Sequence, residues 1–195
     1  MSRAKFDKQE VVDAATQLFW QYGYQAVSMQ DLVKGTGLKP GSLYLAFNNK
    51  EGLFAATLEA YAAQGCAQLE ERFSSTEAVG KTICDLLQGM VEEATTSEYC
   101  SCFLVKAQLE LAKDSESHTE LLQLVQEKFA AVEAIYRTAI AREFGADNSA
   151  LLASSVMMHI FGLRVYGYQN HSKQHLRDTL RLGLHWLPWD GLSSN

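Results

Sequence analysis

The chain has 195 residues, 47% hydrophobic and 21% charged, an ordinary globular composition long enough for one compact domain or two small ones. It contains no run of 18 apolar residues, which argues against a spanning helix, and its opening MSRAKFDKQEVVDAA lacks an apolar stretch with a cleavage site, so export is not expected. The formal charge is −6, yet residues 1–50 carry six Lys/Arg against four Asp/Glu, while residues 51–195 carry eleven against nineteen. A polyanion is therefore repelled by most of the chain and tolerated at its N-terminal end.

With prolines only at 40 and 188 and apolar residues spaced by three and four, the chain reads as all-helical. The first helix starts at Asp7, with Glu10 completing a capping box, and buries Val11, Val12, Ala15, Leu18, Phe19 and Tyr22 before Gly23 stops it. Ser28 and Asp31 open a short second helix, which Gly35 and Gly37 close. Pro40 begins a third of about two turns, where its missing N–H costs nothing. Asn48-Asn49-Lys50-Glu51 starts a long fourth helix through Leu53, Phe54, Leu58, Tyr61, Leu69 and Phe73. After the break at Ser74-Ser75-Thr76, helices are expected over about 77–95, 101–112, 118–144, 149–169 and 173–187, about nine in all.

Three short helices, the second and third joined through Thr36-Gly37-Leu38, form the helix-turn-helix pattern. Ala14, Leu18, Leu32, Val33, Leu38, Leu43 and Phe47 fill its small core, which leaves Lys39, Gly41, Ser42, Tyr44 and Leu45 facing outward. An outward Tyr and Leu waste apolar surface in water but not against a DNA major groove. From about Phe6 to Leu58 the chain resembles the TetR-type (TetR/AcrR) transcriptional regulators. The shared features are Phe19-x-x-Tyr-Gly-Tyr, Ser28-Met-x-Asp-Leu, and Gly37-Leu-Lys-Pro-Gly-Ser-Leu-Tyr-x-x-Phe-x-x-Lys-Glu-x-Leu53.

That resemblance implies a DNA-binding domain over residues 1–55 and an effector-binding and dimerisation domain over 56–195. It implies that Ser28 and the free N–H groups of its helix meet a phosphate. Gln30 then reaches a base edge, and Lys39, Pro40, Gly41 and Ser42 form the entering tip. Tyr44 and Lys50 anchor phosphates. Leu45 and Ala46 stand where the family often has an aromatic and a histidine, so Leu45 offers an apolar touch, such as to a thymine methyl.

In the larger domain, helices five to seven with the end of helix four are expected to enclose a cavity for a small apolar or electrophilic effector. Val156, Ile160, Leu163, Leu176, Leu180, Leu184 and Leu187 give the last two helices apolar stripes for pairing with a second copy. Cys102, at a helix start with Lys106 one turn on, is the candidate sensor thiol, with inert thiols as the plainer reading. Cys66 and Cys84 read as core. Two cysteines at i and i+2 lack a partner pair for metal, and His171 and His175 lack a carboxylate at ligand spacing, so no metal or cofactor is expected. His159 reads as a core histidine or a ligand donor. Tyr99, Phe103, Phe129, Tyr136, Phe161 and Tyr166 line a pocket or pack as core. No Gly-rich phosphate loop or nucleophile–base pair appears, so no enzyme is expected.

The leading expectation is thus a cytoplasmic, ligand- or redox-responsive repressor. It binds a palindromic double-stranded operator as a homodimer and is released by its effector. The alternatives are a helical protein-interaction module without DNA binding, or an electrophile or oxidant sensor acting through Cys102.

Overall fold

The computed structural model describes residues 6–74 and 78–189; the expected break at Ser75-Thr76 lies outside them. Among the described residues there are nine α-helices and two 3-10 turns, with no strand. The helices are α1 (Lys8–Tyr22), α2 (Met29–Thr36), α3 (Pro40–Phe47), α4 (Lys50–Ser74), α5 (Val79–Ala94), α6 (Phe103–Leu111), α7 (Thr119–Phe144), α8 (Ser149–Tyr166) and α9 (Lys173–Gly183).

Local chemistry explains the boundaries. Asp7 caps α1 by accepting from Gln9 N at 2.8 Å, a bond from N2 rather than the capping box expected with Glu10. The reciprocal box does form at α2, where Ser28 Oγ accepts from Asp31 N and the Asp31 carboxylate accepts from Ser28 N. Gly37, at φ +69, ends α2 in the left-handed region. Pro40 opens α3 as its spacing predicts. At the far end α9 stops at Gly183, four residues short of expectation. Beyond it Leu187 N returns to Leu184 O, and Trp189 Nε1 donates to the same carbonyl at 2.8 Å, so the tail folds back instead of continuing as helix.

The chain forms two compact units, and α4, α6 and α7 each contribute to both. The first comprises the stretch up to Gln64 with Lys106–Lys128, and so takes in a segment that the expected division at residue 55 leaves out. Its core joins Val11, Val12, Ala15, Phe19, Leu32, Leu43, Phe47, Phe54 and Leu58, all buried. Tyr22, expected inside, is exposed, and Leu18 is half-buried. Phe19 meets Phe54 edge-on at 4.9 Å between ring centres, and Tyr24 lies 4.7 Å from Phe54 and 5.3 Å from the His118 ring.

The second unit, Gly65–Val105 with the stretch from Phe129 onward, packs α5, α8 and α9 around Ile83, Leu87, Val91, Ile140, Val156 and Leu184. The α5 N-terminus, whose cap residue Ala78 has no side-chain donor or acceptor, receives the Glu143 carboxylate on Val79 N and Gly80 N. Salt bridges from Arg177 and Lys173 to Glu92, and from Arg164 to Glu93, tie α9 and α8 to α5.

Here the stripes expected to pair with a second copy are corrected. Val156, Leu163, Leu176, Leu180, Leu184 and Leu187 are buried in the unit's own core, and Ile160 packs partly buried against it. The exposed apolar residues are instead Leu151 (75% exposed), Met158 (74%), Val165 and Tyr166 on α8, and Leu182 (82%) on α9. By length and composition alone, Ser149–Gln169 is apolar enough to cross a membrane, contrary to the sequence reading. Its Ala153, Val156, Met157 and Leu163 are core residues and its Arg164 is ion-paired, the behaviour of a core helix with one uncovered face.

The aromatic set does not converge on one wall. Tyr136 and Phe103 are fully buried, Phe129 packs on Phe161, and Tyr99 donates to Arg164 O at 3.0 Å. Tyr166 stacks on His171 with ring centres 4.2 Å apart, and His175 lies 4.7 Å from His171. His159 Nδ1 pairs with Ser155 O, and its ring occupies the space that a side chain at Gly183 would need.

Candidate nucleic-acid interface

α3 is short because its last residue, Phe47, is buried and the chain must turn at once. Asn48 takes φ +66, and Asn49 Oδ1 then caps α4 by accepting from Gly52 N at 2.7 Å. With Leu43 and Phe47 facing the core, helical spacing forces Lys39, Pro40, Gly41, Tyr44 and Leu45 outward. Tyr44 is 49% exposed and Leu45 70%, a large apolar offering for a helix of eight residues. Ser42 is half-buried beside them. A Cβ on Gly41 would meet nothing within 4 Å, so nothing inside the protein requires glycine there.

α2 presents Gln30 and Ser28, both exposed, at its N-terminal end. The Ser28 hydroxyl already donates to Asp31 Oδ2 at 2.6 Å, and this bond holds the Asp31 carboxyl below the usual carboxylate range. Ser28 is therefore committed to its cap in this conformation rather than free to donate to phosphate. Lys50 departs further from the sequence reading. Its Nζ lies 4.4 Å from the centre of the Tyr24 ring, half-buried, and burial lowers its pKa against the opposing pull of Glu110. Lys39 is the exposed cation of the tip.

Sequence reasoning missed the residues that hold this head from α6. The Glu110 carboxylate accepts from Tyr24 N and Gln25 N, each at 2.8 Å, and Lys106 Nζ donates to Trp20 O. Lys106 thus serves the end of α1. Cys102, half-buried, immediately precedes α6, and Cys100 is exposed. Burial pulls the Arg164 pKa down, but hydrogen bonding and charge from Glu93, with Cys102 and Tyr99, raise it overall. Cys84 is core as expected, its thiol pushed up to about 12 by burial. Cys66, expected in the core, instead lines an open groove of about 560 Å³ between α4 and α7, with Phe73, Ala131, Ala134, Ile135 and Arg142. Among the described residues no three His, Cys, Asp or Glu are grouped to hold a metal ion.

Residues 11–57 match the family described as bacterial regulatory proteins, tetR family. The chain is 37% identical over 112 residues to the HTH-type transcriptional repressor ComR of Escherichia coli (strain K12), which covers 56% of this chain and 53% of ComR. It is 30% identical over 112 residues to the uncharacterized HTH-type transcriptional regulator YezE of Bacillus subtilis (strain 168), covering 56% and 58%. The chain thus spans about half the length of the curated relatives it matches. Among solved structures, a cysteine mutant of the TetR family regulator CifR, complexed with 26-base-pair double-strand operator DNA, superimposes with TM-score 0.74 at 27% identity, covering 96% of this chain and 100% of that one. The reduced form of NemR from E. coli superimposes with TM-score 0.71 at 18% identity, covering 89% and 94%. ComR, YezE and CifR are each named as transcriptional regulators or repressors. Residues 11–57, folded as a helix-turn-helix, are thus similar to the bacterial regulatory proteins of the tetR family.

Proposed function

We propose that the chain is a repressor that binds a palindromic operator as a homodimer and is released when an effector acts on the region beyond residue 55. The observation that carries this reading is the outward face of α3, where Lys39, Gly41, Tyr44 and Leu45 stand exposed on a helix otherwise anchored by Leu43 and Phe47. In a major groove, Lys39 meets phosphate, the Tyr44 hydroxyl reaches a second one, and Leu45 touches a base methyl. ComR is named a transcriptional repressor, and the CifR structure holds operator DNA. On this reading the protein works in the cytoplasm, where its DNA partner is reached.

One short helix reads too few bases, so two copies are needed, about 34–36 Å apart on the duplex. Leu151, Met158 and Val165 recur every seven residues along α8, and Leu182 adds to them from α9. A heptad stripe left in water is the seam of a helix–helix contact with a second copy. The α4–α7 groove has the volume of a small-ligand site and is lined by apolar side chains together with Glu70 and Arg142. An effector there releases DNA by binding the DNA-incompetent conformation more tightly.

The reading is checked by fluorescence anisotropy on a duplex retained by the protein from a randomised pool. Lys39→Ala weakens binding to that duplex and to a scrambled one alike, and flattens the salt dependence by about one unit of slope. Leu45→Ala narrows the gap between the two duplexes and leaves the slope unchanged. Equal binding by all three proteins would remove α3 as the reader.

A second reading, an oxidant or electrophile sensor acting through Cys102, draws on the position of that thiol immediately before α6. NemR is described in a reduced form and CifR as a cysteine mutant. Quinone or peroxide treatment then shifts the melting temperature of wild type but not of Cys102→Ser; identical shifts would exclude Cys102 as the switch.

A further inference from the structure

Lys106 and Glu110 lie four residues apart on α6, so their side chains leave one helix face about 6 Å apart along its axis. Such a pair is placed to bond to itself, yet each reaches another part of the first unit. Lys106 Nζ donates to the carbonyl of Trp20 in the last turn of α1. Glu110 spreads its two oxygens over consecutive backbone donors just past that helix, Oε2 on Tyr24 N and Oε1 on Gln25 N. The cation sits at the negative end of the α1 dipole, and the anion covers N–H groups of the turn that leads into α2. The backbone is shaped to admit the carboxylate. Gly23 takes φ +89, and a Cβ there would stand 2.9 Å from Glu110 Oε2. Tyr24 in turn carries the Lys50 ammonium on its ring and packs against Phe19, Phe54 and His118.

We propose that Glu110, assisted by Lys106, is a positioning residue for DNA reading: from α6 it fixes the α1–α2 turn, and through that turn the angle at which α2 and α3 meet the duplex. The inference builds on the DNA-binding reading above. Neither residue touches DNA in this account, and both lie outside the segment 11–57 that matches the family. Because α6 begins in the second unit and these two residues lie in the first, a rotation of α6 about its axis withdraws both anchors together.

The sign of one substitution separates this from simple electrostatics. Removing a negative charge from the DNA-facing unit favours a polyanion by Coulomb's law, and so tightens binding. Loss of the clamp weakens it. Glu110→Ala is expected to bind the selected duplex roughly tenfold more weakly, with an unchanged salt slope because no phosphate contact is lost. Hydrogen exchange at the Tyr24 and Gln25 amides is expected to accelerate while that of α5 does not. Glu110→Gln, which keeps an acceptor oxygen, restores part of the affinity, and Glu59→Ala, an exposed acid on α4, shows only the Coulomb gain.

Equal or tighter binding by Glu110→Ala, or unchanged exchange at Tyr24 and Gln25, would overturn the proposal. Should Glu110→Ala fail to fold, the Gln variant decides: weaker binding with faster exchange at the two amides supports the clamp, and wild-type affinity refutes it. A wild-type protein that retains no duplex would remove the DNA reading and this inference together, whereas wild-type binding that is indifferent to Glu110 would remove this inference alone.

Discussion

Gly52→Ala is expected to cost about 3 kcal/mol, lower the melting temperature by roughly 6–12 °C and abolish operator binding. The added Cβ would stand 2.1 Å from Phe47 O and 3.2 Å from Phe47 C, both backbone atoms that cannot swing aside. Phe47 is the last residue of α3 and is buried, and its carbonyl already accepts from Asn49 N at 2.8 Å. Relief therefore requires that α3 and α4 move apart, which opens the core around Phe47 and shifts Tyr44 and Leu45. The matched control is Gly89→Ala in the interior of α5, where a Cβ meets nothing within 4 Å. There the loss of backbone freedom in the unfolded chain makes alanine stabilising by about 0.5–1 kcal/mol. Paired thermal melts and anisotropy titrations read both effects. A Gly52→Ala protein that melts and binds like wild type would show that the α3–α4 corner is looser than described.

Met158→Glu combined with Leu182→Glu is expected to yield a folded monomer with operator affinity reduced on the order of 100-fold, because the second half-site no longer adds to the first. Both side chains are more than 70% exposed, so the charges cost little within one chain. Their cost falls on the contact with a second copy, where two carboxylates per protomer would be buried unpaired. Analytical ultracentrifugation gives the mass and circular dichroism the helix content. A dimer that survives the double substitution would place the seam elsewhere on the surface.

The helices and the outward face of α3 were legible in the sequence because local signals set them. The Ser28–Asp31 box, Gly37, Pro40 and the spacing of Leu43 and Phe47 each act over a few residues, and the structure uses each one. What failed depends on partners far along the chain. Leu176, Leu180 and Leu184 have the periodicity of a seam, but periodicity does not say which neighbour an apolar stripe meets, and here it is the unit's own core. Lys50 follows the family pattern, yet its orientation is decided by the Tyr24 ring twenty-six residues earlier. That Lys106 and Glu110 serve Trp20, Tyr24 and Gln25 is invisible without the fold. Cys66 looked like core because its helix is apolar there, whereas the small Ala131 and Ala134 opposite leave the groove it lines.

The claim on which the account depends is that two copies of α3 enter successive major grooves of one duplex. Sequencing the duplexes that the wild-type protein retains from a randomised pool tests it most directly. The account predicts an inverted repeat whose half-site centres lie one helical turn, about 10 base pairs, or a multiple of it apart. Retained duplexes without two-fold symmetry, or none enriched above the starting pool, would contradict it.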